Sequence, residues 1–152
     1  MHSPGLEFAF EVVADVAAPL DLGITPAGRR RIVSITGGTF AGPDLKGRVL
    51  AGGADSQIVR ADGTAELDAR YTLATDQGAL IYVVNRGLRH GPPEVLERIA
   101  AGDNVDPRSY YFRSAAFFET SAPGLEWLTQ TIIVGSGERL RDRVIIRFWK
   151  VL

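Results

Sequence analysis

The chain has 152 residues, with 17 lysines and arginines against 18 aspartates and glutamates for a net charge of -1, and no cysteine. That length suits one domain with a core of its own. The charge balance argues against a nucleic-acid face or a polybasic membrane surface, and the absence of cysteine removes disulfides, thiolate chemistry and cysteine zinc sites.

In chain order, Leu6 to Val12 alternates apolar and polar residues and is predicted as a half-buried strand. A loop is expected through Pro19, Gly23, Pro26 and Gly28, then a strand from Arg31 to Thr36. The preceding Arg29-Arg30-Arg31 reads as solvated charge at a strand start. Gly37 to Pro43 reads as a turn. Short strands follow at Lys46 to Leu50 and Ser56 to Arg60, interrupted by Gly52-Gly53. Asp62-Gly63 predicts a two-residue hairpin into a strand from Thr64 to Leu73, and Asp76-Gln77-Gly78 a turn into Ala79 to Asn85.

Pro93 to Ala101 breaks this rhythm. Proline and Glu94 at its start, apolar residues at 95, 96 and 99, and Gly102 after its end predict a short amphipathic helix. Strands are expected again at Tyr110 to Thr120, Trp127 to Val134 and Arg143 to Val151, the last two joined through Gly135-Ser136-Gly137. The fold expected is all-β: a single domain over 1–152, an antiparallel β-barrel of about 8–9 strands with one short helix. Closure removes the exposed edges of such a meander; a β-sandwich is the alternative.

Familiar catalytic signatures are absent. The glycine pairs are not followed by Gly-Lys-Ser/Thr, no Gly-x-Ser-x-Gly is present, and His2 and His90 are the only histidines. No metal site and no cofactor is expected. Period-two arithmetic groups the remaining polar side chains: Asp55 with Gln57; Asp68 with Arg70, opposite Leu67, Ala69, Tyr71 and Leu73; Tyr111 with Arg113, Ala115, Phe117 and Glu119; Trp127 with Thr129 and Thr131. The strand Tyr110 to Glu119 carries aromatics on both faces, so its mixed face is expected to line a cavity. Asp55 follows Gly52-Gly53-Ala54, and the local sequence fits equally a turn aspartate that hydrogen-bonds its own backbone and a carboxylate aimed into a pocket where the glycines clear room.

Taken together, Gly52-Gly53-Ala54-Asp55, Asp62-Gly63, Leu67 to Tyr71, Thr75 to Ile81, Tyr111-Phe112-Arg113, Phe118-Glu119-Thr120 and Trp127-Leu128 resemble the domain of unknown function 3237 (DUF3237, UPF0311). The resemblance runs from about Leu6 to Leu152. It implies a compact β-barrel with a short helix, and it makes Asp55, Asp68, Arg70, Arg113, Glu119 and Trp127 pocket candidates. The chain departs from the family pattern at Ser56, where an aromatic is frequent, and at Thr129, where asparagine is frequent.

The expected function is a small-molecule-binding barrel that acts as a cofactor-independent acid–base enzyme (hydratase, isomerase, cyclase or lyase type) on a small apolar carbonyl- or hydroxyl-containing compound. Asp55 or Glu119 would be the general base or acid, raised in pKa by the barrel interior, and Arg113 would stabilise an oxyanion. Gln57, Asp68, Arg70, Tyr71, Tyr111 and Trp127 would contact the ligand. A non-catalytic carrier or sensor is the alternative. The partner expected is a small molecule, with no nucleic acid and no membrane; a homodimer is admitted, and the expected location is the cytoplasm. The sharpest expectation is that Asp55, Arg113 and Glu119 converge on one interior cavity walled by Trp127.

Overall fold

In the computed structural model, which describes residues 1–152, ten strands and two short helices follow one another as β1 (Leu6–Val16), β2 (Leu20–Thr25), β3 (Gly28–Ala41), β4 (Lys46–Val49), β5 (Gly53–Val59), β6 (Ala65–Thr75), β7 (Leu80–His90), α1 (Pro93–Ala100), β8 (Tyr111–Glu119), α2 (Trp127–Gln130), β9 (Ile133–Arg139) and β10 (Arg143–Val151). From β5 onward each strand pairs antiparallel with the next through to β10, β10 pairs with β1, and β1 pairs with β3. β4 and β5 both lie between β3 and β6, so they form two halves of one stave interrupted at Leu50–Gly52. The result is a closed eight-stave antiparallel barrel, as alternation and turn spacing predict. β2 extends the ladder along the first half of β3. No helix is long and apolar enough to cross a membrane.

Several local expectations are corrected. Gly37 to Pro43 is not a turn: β3 runs on to Ala41 and pairs there with β1, Gly38 opposite Ala14 and Phe40 opposite Val12. Trp127 to Val134 is not a continuous strand: Trp127–Gln130 makes one helical turn and the strand starts at Ile133. Leu128 drives this, because the turn buries its side chain to 2% exposure among the core residues. Leu20–Thr25, expected as loop, is a strand. The Asp62-Gly63 connection is a three-residue loop, not a two-residue hairpin. Only Gly63 takes a positive φ, of 88°, and Asp62 instead accepts the Thr64 N–H on Oδ1 at 2.9 Å. α1 stands where it was predicted, with proline at its first position and Glu94 in its first turn.

Inward and outward side chains alternate on every stave. One half of the interior is filled by an aromatic cluster in which Phe10 packs against Phe40, Phe118 and Phe148 at centroid distances of 6.1, 5.7 and 5.1 Å. Leu73, Ile81, Val83 and Ile133 complete this half, all below 2% exposure, with Leu128 of α2 beside them. Moving along the β6–β7 ladder from Leu73↔Ile81 through Ala69↔Asn85 to Ala65↔Arg89, the inward residues of β7 change from aliphatic to polar. α1 lies over this second half: Leu96 and Ile99 share a depression with Arg31, Ala65 and Arg89.

Candidate functional site

Between the aromatic half and α1 the barrel encloses a chamber of about 60 Å³. A buried water needs ~10–15 Å³ and a cavity that takes benzene is about 150 Å³, so the chamber as it stands holds a handful of waters, and a ring-sized ligand enters only where the wall gives way. Its apolar wall includes Val12, Ala14, Val33, Ile35, Val144 and Ile146. Into it project seven polar side chains from five staves: Asp55 and Gln57 of β5, Tyr71 of β6, Asn85 and Arg89 of β7, Ser114 of β8 and Arg139 of β9.

Asp55 is fixed from two sides. Its Oδ1 accepts the backbone N–H of Asp68 at 2.9 Å, and its Oδ2 accepts the Gln57 Nε2–H at 2.8 Å. The first contact comes from a local opening of the β5–β6 ladder. Ala54↔Arg70 and Asp55↔Ala69 pair, as do Ile58↔Glu66 and Val59↔Ala65, but Ser56 and Gln57 have no partners across the gap. The amide freed on β6 turns to the carboxylate. Burial nevertheless pushes the Asp55 carboxyl above its ordinary range, opposed by the Gln57 and Asp68 hydrogen bonds and by the charge of Arg89. Burial also raises the Tyr71 hydroxyl, which therefore stays protonated and can only donate or accept as a neutral group.

Arg89 is 8% exposed, with its guanidinium over the Phe112 ring at 5.7 Å. Burial, then the neighbouring charge of Arg139, lowers it to about 10, still cationic at neutral pH. Burial, with Arg31 nearby, lowers Arg139 too, and the Arg139 backbone N–H donates to the Tyr110 hydroxyl at 2.9 Å. The four buried side-chain polar atoms that find no hydrogen-bond partner are Gln57 Oε1, Asn85 Oδ1, Ser114 Oγ and Arg139 Nη1, and all four residues line this one chamber.

Of the residues selected from sequence, the structure brings Asp55, Gln57 and Tyr71 together here. The expected convergence of Asp55 with Arg113 and Glu119 does not occur. On β8 the inward face is Phe112, Ser114, Ala116 and Phe118, with Phe112, Ala116 and Phe118 at or below 5% exposure, and Tyr111, Arg113 and Glu119 are exposed on the outside. The more apolar set takes the interior, and aromatics on both faces masked which set that was. Arg113 donates to the Phe112 carbonyl at 2.9 Å and lies over Tyr111 at 5.7 Å. Asp68 and Arg70 also face outward and bond each other, Nε to Oδ1, at 3.2 Å. Trp127 is half-buried against the core and lies under Lys150 Nζ at 4.3 Å, outside the chamber wall. The room left by Gly53 is taken by β6: a Cβ there would stand 2.5 Å from the Tyr71 Cβ and 2.6 Å from the Arg70 carbonyl oxygen.

A broader depression of about 680 Å³ crosses the outer faces of β7, β8 and β9, and holds Tyr111 and Arg113 beside Leu88 and Trp149. It is open to water, so its polar groups are solvated; the unsatisfied groups are inside.

Sequence reasoning missed Asn85, Arg89, Ser114 and Arg139. The signal was there: Ile81, Val83, Asn85, Gly87 and Arg89 share parity, as do Ile133, Gly135, Gly137 and Arg139. Ending the seventh strand at Asn85 and reading Gly135–Gly137 as a joint cut both series short.

Comparison with known proteins gives one consistent result. The family described as "Protein of unknown function (DUF3237)" matches residues 4–151. A UPF0311 protein of Rhodopseudomonas palustris is 42% identical over 152 residues, covering 99% of both chains, and one of Clostridium acetobutylicum is 41% identical over 146 residues, covering 95% of this chain and 92% of its own. A hydroalkoxylation enzyme of Penicillium herquei, phnH, is 28% identical over 148 residues, 97% of this chain and 84% of its own. Among solved structures, a conserved protein of R. palustris superposes with a TM-score of 0.95 at 40% identity, each chain wholly covered. A β-barrel-like protein of Acinetobacter baumannii gives 0.86 at 47%, covering all of this chain and 98% of its own.

Proposed function

The chain belongs to the DUF3237 family, and we propose that its barrel chamber binds a small, largely apolar carbonyl- or hydroxyl-containing molecule and carries out cofactor-independent acid–base chemistry on it. The observation that supports this reading is the gathering of all four unpartnered buried side-chain polar atoms in one chamber. A buried donor or acceptor without a partner costs about 1–3 kcal/mol. Four in one place are a cost that a bound polar molecule relieves.

Asp55 is the proton-transfer group. Its carboxyl is raised toward the range where it can both take and return a proton, and its two hydrogen bonds fix its orientation. It takes a proton from an O–H or an activated C–H of the substrate and returns it at another atom of the same molecule. Isomerisation and cyclisation use that exchange within one molecule; hydration takes the proton from water instead, and elimination delivers it to the departing group. Asn85, Ser114 and the neutral Tyr71 hydroxyl orient the oxygen whose charge changes. The similarity to a hydroalkoxylation enzyme supports catalysis over carriage, since addition of an O–H across a double bond moves a proton from oxygen to carbon.

The test is proton exchange. The protein is incubated in D2O with a panel of small enolisable ketones and unsaturated phenols and followed by 1H NMR. Deuterium enters at a substrate carbon in the wild type, and Asp55→Asn abolishes the exchange while still binding the compound. Binding without exchange in the wild type would identify a carrier instead.

A further inference from the structure

Neither arginine of the chamber, the buried Arg89 nor the half-buried Arg139, has an anion within ion-pair distance. None of the chain's ten ion pairs includes Arg89 or Arg139. Arg139 Nη1 is buried without any partner. The one acid in the chamber, Asp55, has both oxygens engaged, by Gln57 and by the Asp68 amide. The chamber therefore holds two positive charges against at most one negative, and Arg31 adds a third positive charge beside Arg89 under α1. A buried cation without a counter-ion is costly. Arginine presents five N–H donors in a planar fork suited to an oxyanion.

We propose that Arg89 and Arg139 form an oxyanion-binding pair, so that the ligand is an amphiphilic monoanion: an aromatic or aliphatic body against Val12, Val33, Ile35 and Ile146, and a single ionised oxygen function between the two guanidiniums. Either an ionised phenol or enol, or a carboxylate, supplies that chemistry. The inference rests on reading the chamber as a small-molecule site and adds the charge class of the molecule. It also gives Asp55 a counterpart. A substrate hydroxyl that gives up its proton inside the barrel leaves its negative charge beside the arginines, so the electron pair stays on oxygen and the proton goes to the carboxylate.

Binding of benzoate and 4-nitrophenol is measured by calorimetry against the neutral isosteres benzamide and nitrobenzene. The visible absorbance of nitrophenolate reports the ionisation state of the bound probe. The expected result is binding of at least one anion about tenfold or more tighter than its isostere. Bound nitrophenol should absorb as phenolate at a pH where the free compound is neutral. Preference for nitrophenol identifies an ionised hydroxyl, and preference for benzoate a carboxylate. Arg89→Met and Arg139→Met should each remove that preference, weakening the anions by about tenfold or more beyond the neutral probes, while cooperative thermal melting shows that the variants are folded. Neutral and anionic probes binding alike would overturn the oxyanion pair while leaving the small-molecule site standing. Anion binding that survives both substitutions would overturn it as well. Failure of all four probes to bind folded protein would overturn both.

Discussion

The backbone N–H of Asp68 reaches Oδ1 of Asp55 at 2.9 Å, while the Asp68 side chain stands on the opposite face of the sheet and bonds Arg70. One residue thus serves the chamber with its main chain and the surface with its side chain. Asp68, chosen from sequence for its carboxylate, acts at the site through its amide.

Replacing Asp55 by asparagine should change stability in a pH-dependent way. The folded-state pKa of Asp55 is raised above its ordinary 3.8. The native state therefore holds the proton more tightly than the unfolded chain, and ionisation opposes folding. That cost is absent below the unfolded pKa and complete above the raised folded value. Asp55→Asn, which cannot ionise, should gain in melting temperature relative to wild type as pH rises from about 3 toward neutrality. Thermal melts of the two proteins across that range check it; a gap that narrows with rising pH would contradict it.

Gln57→Leu removes the side-chain hydrogen bond that holds the Asp55 carboxylate in its ionised form. The Asp55 titration, followed by carboxyl 13C NMR, should move to still higher pH in this variant. It also deletes the orphaned Oε1, so the change should destabilise by less than the ~1–3 kcal/mol typical of a lost partner.

Phe10 is wholly buried and touches three other phenylalanine rings. Phe10→Ala should cost about 3–5 kcal/mol in urea denaturation, through lost transfer energy and the cavity left behind. The same substitution at Phe117, 65% exposed on the outer face of β8, should cost under ~0.5 kcal/mol.

Gly53→Ala places a methyl group against the backbone of β6 beside Tyr71. Overpacking of this kind costs about 1–3 kcal/mol, and here it pushes apart the two strands that aim Asp55 and Tyr71 inward. The expected outcome is lower thermal stability together with weaker binding in the chamber. Gly78→Ala, at an open turn, should leave binding intact despite the strain of its φ of +90°.

The barrel was legible in the sequence because alternation, turn glycines and one capped helix all agree at strand length. Tyr71 was legible because it shares parity with Leu67, Ala69 and Leu73, and Asp55 and Gln57 because they share parity with each other behind a glycine pair. β8 was not: Phe112 and Phe118 face in, Tyr111 and Phe117 face out, and both sets are aromatic, so parity alone left the choice of face open. Arg89 and Arg139 escaped for a different reason. Each lies at the far end of a strand whose inward series runs through glycine, and a missing side chain reads as a turn unless the partner strand is known. Trp127 joined a strand face on spacing, but Leu128 could be buried only by coiling that segment into a helical turn.

β1 is gripped on one side by β3 and on the other by β10, and the Leu152 N–H donates to the Gly5 carbonyl at 2.9 Å. A ribosome makes β1 before β3 and β10 only after β9. While β4 to β9 are being made, β1 carries an unpaired edge with Leu6 and Phe8 along it, the kind of edge that recruits other chains. The chamber does not exist during that interval, because Val144 and Ile146 of its wall arrive with the last strand. Anything that binds the chamber would therefore stabilise only the completed ring.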